Sequence, residues 1–178
     1  HPILNNDSYS GVTFHKIDEG IDTGEIIFQK KIKILNTDNC RDLYSKYIST
    51  GTQLILDNFN DIISSNYSLK KQSSKNSSYY SKKSVNYKNL KIDFNKTATE
   101  IFNQIRAFSY YDFQLPKFLN NEIIGAEILN SKSSFIPNEI IFESKYYTII
   151  STIDFDLKIY FNLYNDLWNA CKIDDCET

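Results

Sequence analysis

The stretch of sequence that decides the fold is residues 10–32, which read SGVTFHKIDEGIDTGEIIFQKKI. Valine, isoleucine, threonine and aromatic residues fill residues 11–17 and return over residues 25–35, as is typical of strands. Between them, residues 18–24 consist mainly of Asp, Gly and Thr, and the first two of these favour tight turns. The pattern therefore predicts a strand, a tight loop and a second strand.

The predicted loop concentrates both glycine and negative charge. Of the five glycines in the chain, Gly11, Gly20 and Gly24 fall within 14 residues, two of them in the loop, which indicates a backbone that turns sharply or approaches a ligand closely. Three carboxylates lie in the loop: Asp18, Glu19 and Asp22. Two interpretations stay open, a loop that faces a ligand pocket and a solvated hairpin turn capped by acidic residues.

Downstream of the second strand, the pattern changes twice. Over residues 38–63 apolar side chains recur at about 3.6-residue spacing, which predicts one long amphipathic helix with Thr37 or Asp38 as its N-cap. Residues 64–91 contain nine Ser and seven Lys and almost no aliphatic side chains, which is typical of a linker.

The second half of the chain has the pattern of a small β-rich module. Thr97 and Glu100 form a capping-box pattern, which predicts a helix over residues 98–108. Predicted strands follow at residues 122–129, 139–142, 146–153 and 157–164. We therefore divide the chain into the end of a first domain (1–63), the linker (64–91), the β-rich module (92–165) and a tail (166–178).

Composition excludes several classes of function. Twenty Lys and Arg against 22 Asp and Glu give a net charge of −2, which disfavours a nucleic acid as partner. No apolar run approaches the length of a membrane span, and the first residues lack the pattern of a signal peptide, so we expect a cytoplasmic protein that binds no membrane. Two histidines and three irregularly spaced cysteines predict no metal site. Because the chain lacks Met and opens on His1, we expect a fragment or a processed chain.

Residues 10–32 resemble the signature of the folate-dependent formyltransferases, a family that includes methionyl-tRNA formyltransferase and the nucleotide-sugar N-formyltransferases. Residues 90–107 are similar to the helix that opens the C-terminal domain of that family. The resemblance implies an α/β fold: the C-terminal part of a Rossmann-like formyltransferase domain, followed by a small β-rich C-terminal domain. It also implies 10-formyltetrahydrofolate as the co-substrate.

The resemblance further implies a catalytic set of three residues. Two of them, an Asn and a His, belong to a motif Asn-x-His-x-Ser-x-Leu-Pro that the chain lacks, and the third is an Asp that corresponds to Asp22. A carboxylate bonded to a histidine favours the imidazolium and fixes the ring, which suits formyl transfer to an amine. The remaining loop residues are then expected to face the pterin ring: Asp18, Glu19, Gly20, Ile21 and Thr23. With two catalytic residues missing, we expect the isolated chain to be inactive.

The resemblance also bears on two histidines and two tyrosines outside the loop. His1 corresponds either to a His-Pro step of the family or to the catalytic histidine brought closer by a deletion, whereas His15 is expected to be a strand residue with no mechanistic role. Relatives that formylate sugars often place aromatic residues at the position of Tyr110 and Tyr111. These two rings are expected either to stack on the nucleotide or to pack as core or hinge. The tail, residues 166–178, resembles the first helix of an ankyrin repeat.

These observations predict transfer of a formyl group from 10-formyltetrahydrofolate to the amine of a nucleotide-linked amino-dideoxy sugar, for glycan biosynthesis. A methionyl-tRNA formyltransferase is the first alternative, but residues 122–178 hold ten carboxylates and only four lysines, a poor match to tRNA phosphates. A non-catalytic remnant or interaction module is the second alternative. The expected partner is the nucleotide-sugar substrate, and a homodimer stays open.

Overall fold

The computed structural model describes residues 1–73, 78–81, 83–88, 90–111 and 113–163. The chain divides into two compact units between Ser84 and Val85, within the segment that the sequence predicts as a linker. The predicted tail lies outside the described residues. Within the described ranges, no helix has the length and apolar character that crossing a membrane requires.

Unit 1 is built on the predicted hairpin. Strand β1 (Tyr9–His15) pairs with strand β2 (Ile26–Lys33) in antiparallel register, from Tyr9 opposite Lys33 to His15 opposite Ile26. A register shift between Phe14 and His15 interrupts the ladder next to the loop. The hairpin therefore delivers residues 16–25 as a single connection between two paired strand ends.

The helical part of unit 1 differs from the prediction in two ways. It consists of helix α1 (Cys40–Asp57) and the short helix α2 (Phe59–Ile63) instead of one continuous helix. The break occurs because the Asn58 side chain donates to the Leu54 carbonyl, 2.7 Å away, and so competes with the helical hydrogen bonds. The long apolar period continues through the break, which is why the pattern did not reveal it.

The predicted N-cap of α1 is also wrong. Asn39 caps the helix: its side chain accepts from the Asp42 N–H, and the Asp42 carboxylate accepts from the Asn39 N–H, at 3.1 and 3.0 Å. Asp38 is 5% exposed and accepts instead from the Leu35 N–H and from Lys46 Nζ. The buried apolar side chains among the described residues of the unit are Ile3, Ile32, Ile34, Leu43 and Leu54.

Unit 2, Val85–Thr178, contains the segment that the sequence predicts as a small β-rich module. Helix α3 (Ala98–Phe108) begins at the capping box of Thr97 and Glu100, as predicted. Five strands follow: β3 (Lys117–Phe118), β4 (Asn121–Lys132), β5 (Ile140–Glu143), β6 (Tyr147–Ile150) and β7 (Phe155–Phe161). They form one antiparallel sheet in the order β3-β4-β7-β6-β5.

The core of unit 2 lies between α3 and the sheet. Its fully buried members come from the apolar face of the helix and from three strands: Ile101, Ile105, Ile123, Ile150, Leu157 and Ile159. The turn between β6 and β7 is joined to this core, because the Asp154 carboxylate accepts from the Ala98 N–H at the first turn of α3, at 2.7 Å. Unit 2 thus has its own core and its own internal hydrogen bonds.

Candidate functional site

The loop between β1 and β2 is organised by one of its own carboxylates. Asp18 Oδ1 accepts from the Gly20 N–H at 3.1 Å and from the Thr23 hydroxyl at 2.7 Å. At its base, the Lys16 N–H donates to the Glu25 carbonyl at 3.0 Å. Asp18 therefore organises the loop through one of its two carboxylate oxygens.

The glycines of the loop are explained by close approach of chain to chain. A Cβ on Gly24 would lie 1.7 Å from the Lys16 carbonyl oxygen, and a Cβ on Gly20 would lie 2.0 Å from Thr23 Oγ1. None of the five glycines has a positive φ; in this loop Asp22 does, with φ of 54°. The loop thus holds a non-glycine residue in the left-handed region, a conformation that costs free energy and is common at functional sites.

Asp22 lies next to a histidine that the sequence did not assign to the site. Its carboxylate is 87% exposed, and its Oδ1 lies 3.7 Å from His15 Nε2, close enough for an ion pair when the ring is protonated. The other ring nitrogen, Nδ1, lies 2.7 Å from the Lys16 carbonyl oxygen, which holds the ring in place. Strand alternation places His15 on the face of β1 away from Phe14, and a register shift separates the two residues.

The remaining residues of the loop present apolar and polar groups side by side. Ile17 and Ile21 lie four positions apart in the sequence and are 95% and 92% exposed, so two aliphatic side chains of the loop face solvent. Glu19 is exposed as well. A surface of this kind, with backbone polar groups between exposed aliphatic side chains, suits a planar ring with polar edges.

A segment that the sequence predicted as linker contacts the loop directly. We call residues 67–72 the strap. Its Lys70 exchanges two backbone hydrogen bonds with Ile26, at 2.8 and 2.9 Å, and its Tyr67 ring meets Phe28 edge to face. At the end of the strap, Gln72 Nε2 donates to the carbonyls of Asp22 and Gly24, at 2.8 and 2.7 Å.

The predicted tyrosines lie in unit 2, in the turn after α3. Tyr110 and Gln114 exchange two backbone hydrogen bonds, at 2.9 and 2.7 Å, and the Tyr110 ring contacts the Phe113 ring edge to face, with centroids 4.9 Å apart. Tyr111 and Phe113 are 56% and 82% exposed. Tyr111 and Phe113 therefore present exposed aromatic rings next to the hydrogen-bonded pair Tyr110 and Gln114.

His1 packs against another ring, and Cys40 is partly buried. The His1 ring stacks on Tyr80 at 3.9 Å, and its Nε2 lies 3.0 Å from Ser84 Oγ, whereas the histidine paired with Asp22 is His15. Burial raises the pKa of the Cys40 thiol, which disfavours the reactive thiolate. Across the described ranges, no group of three or more His, Cys, Asp or Glu side chains is arranged to hold a metal ion.

Comparison with known proteins assigns both units. The profile of the Formyl transferase family matches residues 2–59, and the profile of the formyl transferase C-terminal domain matches residues 84–160. The first match contains the loop and α1, and the second contains α3 and the sheet up to β7. The two matched regions together cover most of the chain.

Two solved structures are similar to the chain over 90% of its length. One is the N-formyltransferase from Helicobacter canadensis in complex with folinic acid and dTDP-3-aminofucose, with 43% identity, a TM-score of 0.79 and 59% of that chain covered. The other is WlaRD, a sugar 3N-formyltransferase in the presence of dTDP and 5-N-formyl-THF, with 44% identity, a TM-score of 0.78 and 57% of that chain covered.

Curated relatives include several methionyl-tRNA formyltransferases. The enzyme of Clostridium tetani is 29% identical over 150 residues, which are 80% of this chain and 46% of the relative. The enzyme of Halothermothrix orenii is 36% identical over 104 residues, which are 58% of this chain and 32% of the relative. The chain thus spans less than half the length of these two relatives.

Proposed function

The chain belongs to the formyl transferase family, and on that premise we propose that its protein transfers a formyl group to a nucleotide-linked amino-dideoxy sugar. The proposed formyl donor is 10-formyltetrahydrofolate. The observation that carries the proposal is the 43–44% identity, over 90% of the chain, to two enzymes that were solved with a formylated folate and a dTDP compound. A formamido sugar made in this way serves glycan biosynthesis, so we also propose that role and a cytoplasmic location.

In this proposal Asp22 is the catalytic carboxylate. It is exposed at the tip of a preformed loop, so it is accessible to a histidine or a substrate without rearrangement of the chain. A carboxylate in that position stabilises a neighbouring imidazolium and so helps the attacking amine to lose its proton as the tetrahedral intermediate forms. The negative charge of Asp22 is the property that the reaction needs, because an amide of the same shape cannot stabilise the cation.

The loop is the proposed contact surface for the folate. Ile21 is 92% exposed and offers an aliphatic face to a planar ring, while backbone groups near Glu19, Gly20 and Thr23 offer donors and acceptors to its polar edge. Asp18 shapes this surface, because its Oδ1 accepts from Gly20 and Thr23 within the loop. The loop is thus built before the folate binds.

The proposed contact for the nucleotide is the aromatic turn of unit 2. Tyr111 is 56% exposed, and Tyr110 is held against Phe113 in a turn with two backbone hydrogen bonds. Rings that are already ordered stack on a base with little further loss of side-chain entropy. We expect Tyr111, the more exposed of the pair, to contribute most to nucleotide affinity.

The second candidate is a methionyl-tRNA formyltransferase, which the names of the curated relatives favour. Charge argues against it, because residues 122–178 hold ten carboxylates and four lysines and would repel a phosphate backbone.

Parallel assays with the two classes of substrate test the proposal. The full-length gene product that contains residues 1–178 is given 10-formyltetrahydrofolate and, in parallel, dTDP-linked amino sugars or initiator methionyl-tRNA, and the product is identified by mass spectrometry. We expect formylation of an amino sugar, and of no tRNA. Formylation of the tRNA alone would make the second candidate the function, and no turnover of either would favour a non-catalytic module.

A further inference from the structure

The strap contacts the loop that carries Asp22, and the Gln72 side chain donates to two carbonyls of that loop. We propose that Gln72 is a positioning residue that keeps Asp22 in its active backbone conformation. This inference rests on the catalytic role proposed for Asp22. Gln72 lies 50 residues from Asp22 in the chain, in a segment whose composition predicts a linker.

The geometry of the contact fits a clamp. The amide nitrogen of Gln72 lies 2.8 Å from the Asp22 carbonyl oxygen and 2.7 Å from the Gly24 carbonyl oxygen. A primary amide has two N–H groups, so each can serve one of the two carbonyls. These carbonyls flank Thr23, and the clamp therefore fixes their relative orientation immediately after Asp22.

Asp22 is the residue of the loop that needs such support. Its φ of 54° lies in the left-handed region, which costs a residue with a Cβ free energy, although less for Asp than for most residues. Its side chain is exposed, so burial does not hold it in this conformation. The hydrogen bond from Gln72 to the carbonyl of the same residue acts directly on the strained backbone.

The strap itself is fixed before it reaches the loop. Lys70 is paired with Ile26 through two backbone hydrogen bonds, at 2.8 and 2.9 Å, and Tyr67 contacts Phe28 on the same strand. Gln72 therefore extends from a backbone that is already joined to β2, two residues beyond the pair. On the other side of the loop, His15 faces the Asp22 carboxylate at 3.7 Å. The backbone of Asp22 and its side chain thus have separate supports.

The test compares two substitutions with a matched control. Gln72→Leu removes both donors with little change in size, and Gln72→Glu faces the same two carbonyls with acceptor oxygens. Gln53→Leu is the control, because Gln53 also donates through its amide, to Asp57 at 2.6 Å, but from helix α1. Each variant of the full-length gene product is assayed for formyl transfer, and the Asp22 backbone is followed by the strong intraresidue HN–Hα NOE that a positive φ produces.

We expect Gln72→Leu to lower kcat about tenfold, because misplacement of a catalytic group acts on the transition state. Gln72→Glu should lower it further, and both should lose the positive-φ NOE of Asp22. The KM for the sugar and the thermal midpoint should stay close to the wild-type values, and Gln53→Leu should match the wild type throughout. If Gln72 had only a structural role, both Gln72 variants would instead lose thermal midpoint and activity together.

The outcomes separate this inference from the proposed function. If Gln72→Leu keeps the positive-φ NOE, or loses it with kcat within twofold of wild type, the positioning role is wrong. If the wild-type protein transfers no formyl group at all, the proposed function fails, and the NOE alone then decides whether Gln72 holds the conformation of Asp22.

Discussion

Two turns of this molecule are each organised by one aspartate, and they differ in what covers them. In the loop of unit 1, Asp18 accepts from Gly20 and Thr23. In the turn between β6 and β7 of unit 2, Asp154 accepts from the N–H groups of Ala98 and Phe155, at 2.7 and 2.9 Å, and from the Thr152 hydroxyl at 3.0 Å. The same chemistry of carboxylate and donors therefore builds both turns.

Their surroundings separate the two turns. In the turn of unit 2, Ser151 and Thr152 are 0% and 1% exposed and pack into the module, whereas Ile153 between Thr152 and Asp154 is 58% exposed. In unit 1, Ile21 and the Asp22 carboxylate are almost fully exposed, and Asp22 has a positive φ. The comparison shows that a hydrogen-bonded turn is not by itself a functional site. A solvent-exposed turn that holds a residue with positive φ and an exposed carboxylate is the better candidate for a functional site.

The largest expected effect sharpens the contrast between covered and uncovered isoleucines. Ile101→Ala should destabilise unit 2 by about 3 kcal/mol, because it opens a cavity in a core where Ile101 is 0% exposed. Ile21→Ala, the matched control in the loop, should change stability by less than about 0.5 kcal/mol. Urea unfolding followed by circular dichroism measures both. Equal losses would mean that the loop is packed more tightly than its exposure indicates.

The second prediction asks whether the uncovered carboxylate acts in chemistry. Asp22→Asn should lower kcat of the full-length gene product by about a hundredfold while stability stays within about 0.5 kcal/mol of wild type, because the amide cannot stabilise an imidazolium. Asp57→Asn, an exposed carboxylate at the end of α1, is the control and should keep full activity. Steady-state kinetics decide the matter. Activity of Asp22→Asn within threefold of wild type would remove Asp22 from the catalytic set.

The smallest expected effect concerns Asp154, in the turn of unit 2, and the dependence of stability on pH. Burial alone would raise the pKa of Asp154, but hydrogen bonds from Ala98, Phe155 and Thr152 together lower it. A folded pKa below the unfolded value of about 3.9 stabilises the fold at neutral pH, and this contribution disappears as pH falls through the folded pKa. Asp154→Asn should therefore lower the free energy of unfolding at pH 7 by less than about 1 kcal/mol, because solvent screens this partly exposed carboxylate, and by progressively less below pH 4.

The control for this pH experiment is the wild-type chain over the same pH range. Glu100 also has a lowered pKa, caused by its hydrogen bonds with the side chain and the backbone of Thr97, so the wild type loses stability in acid from both groups. The difference between wild type and Asp154→Asn isolates Asp154. If that difference stays constant from pH 7 to pH 3, the carboxylate charge does not contribute to the turn.

Much of this protein could be predicted from residue order alone. The hairpin, its loop, helix α3 with its capping box and the four main strands of unit 2 lie where the patterns predicted them. The resemblance to the formyltransferases is confirmed by the family matches, and so is the fold class, the C-terminal part of an α/β formyltransferase domain followed by a small β-rich domain. The roles of Asp22, of the loop residues and of Tyr110 and Tyr111 stay predictions.

The features that sequence determined depend on neighbours in the chain. Strand alternation, helical periodicity and a capping box join residues at most four positions apart, so their pattern can be read directly. The tertiary structure alone decided the contacts of Gln72 with Asp22, of Asp154 with Ala98 and of His15 with Asp22. The first two join residues about 50 positions apart, whereas the third joins two residues seven positions apart, at the end of β1 and in the loop that follows it. No local pattern encodes the first two contacts, because they form only when packing brings separate segments of the chain together. The third depends on the path of the loop backbone, which residue types alone do not specify.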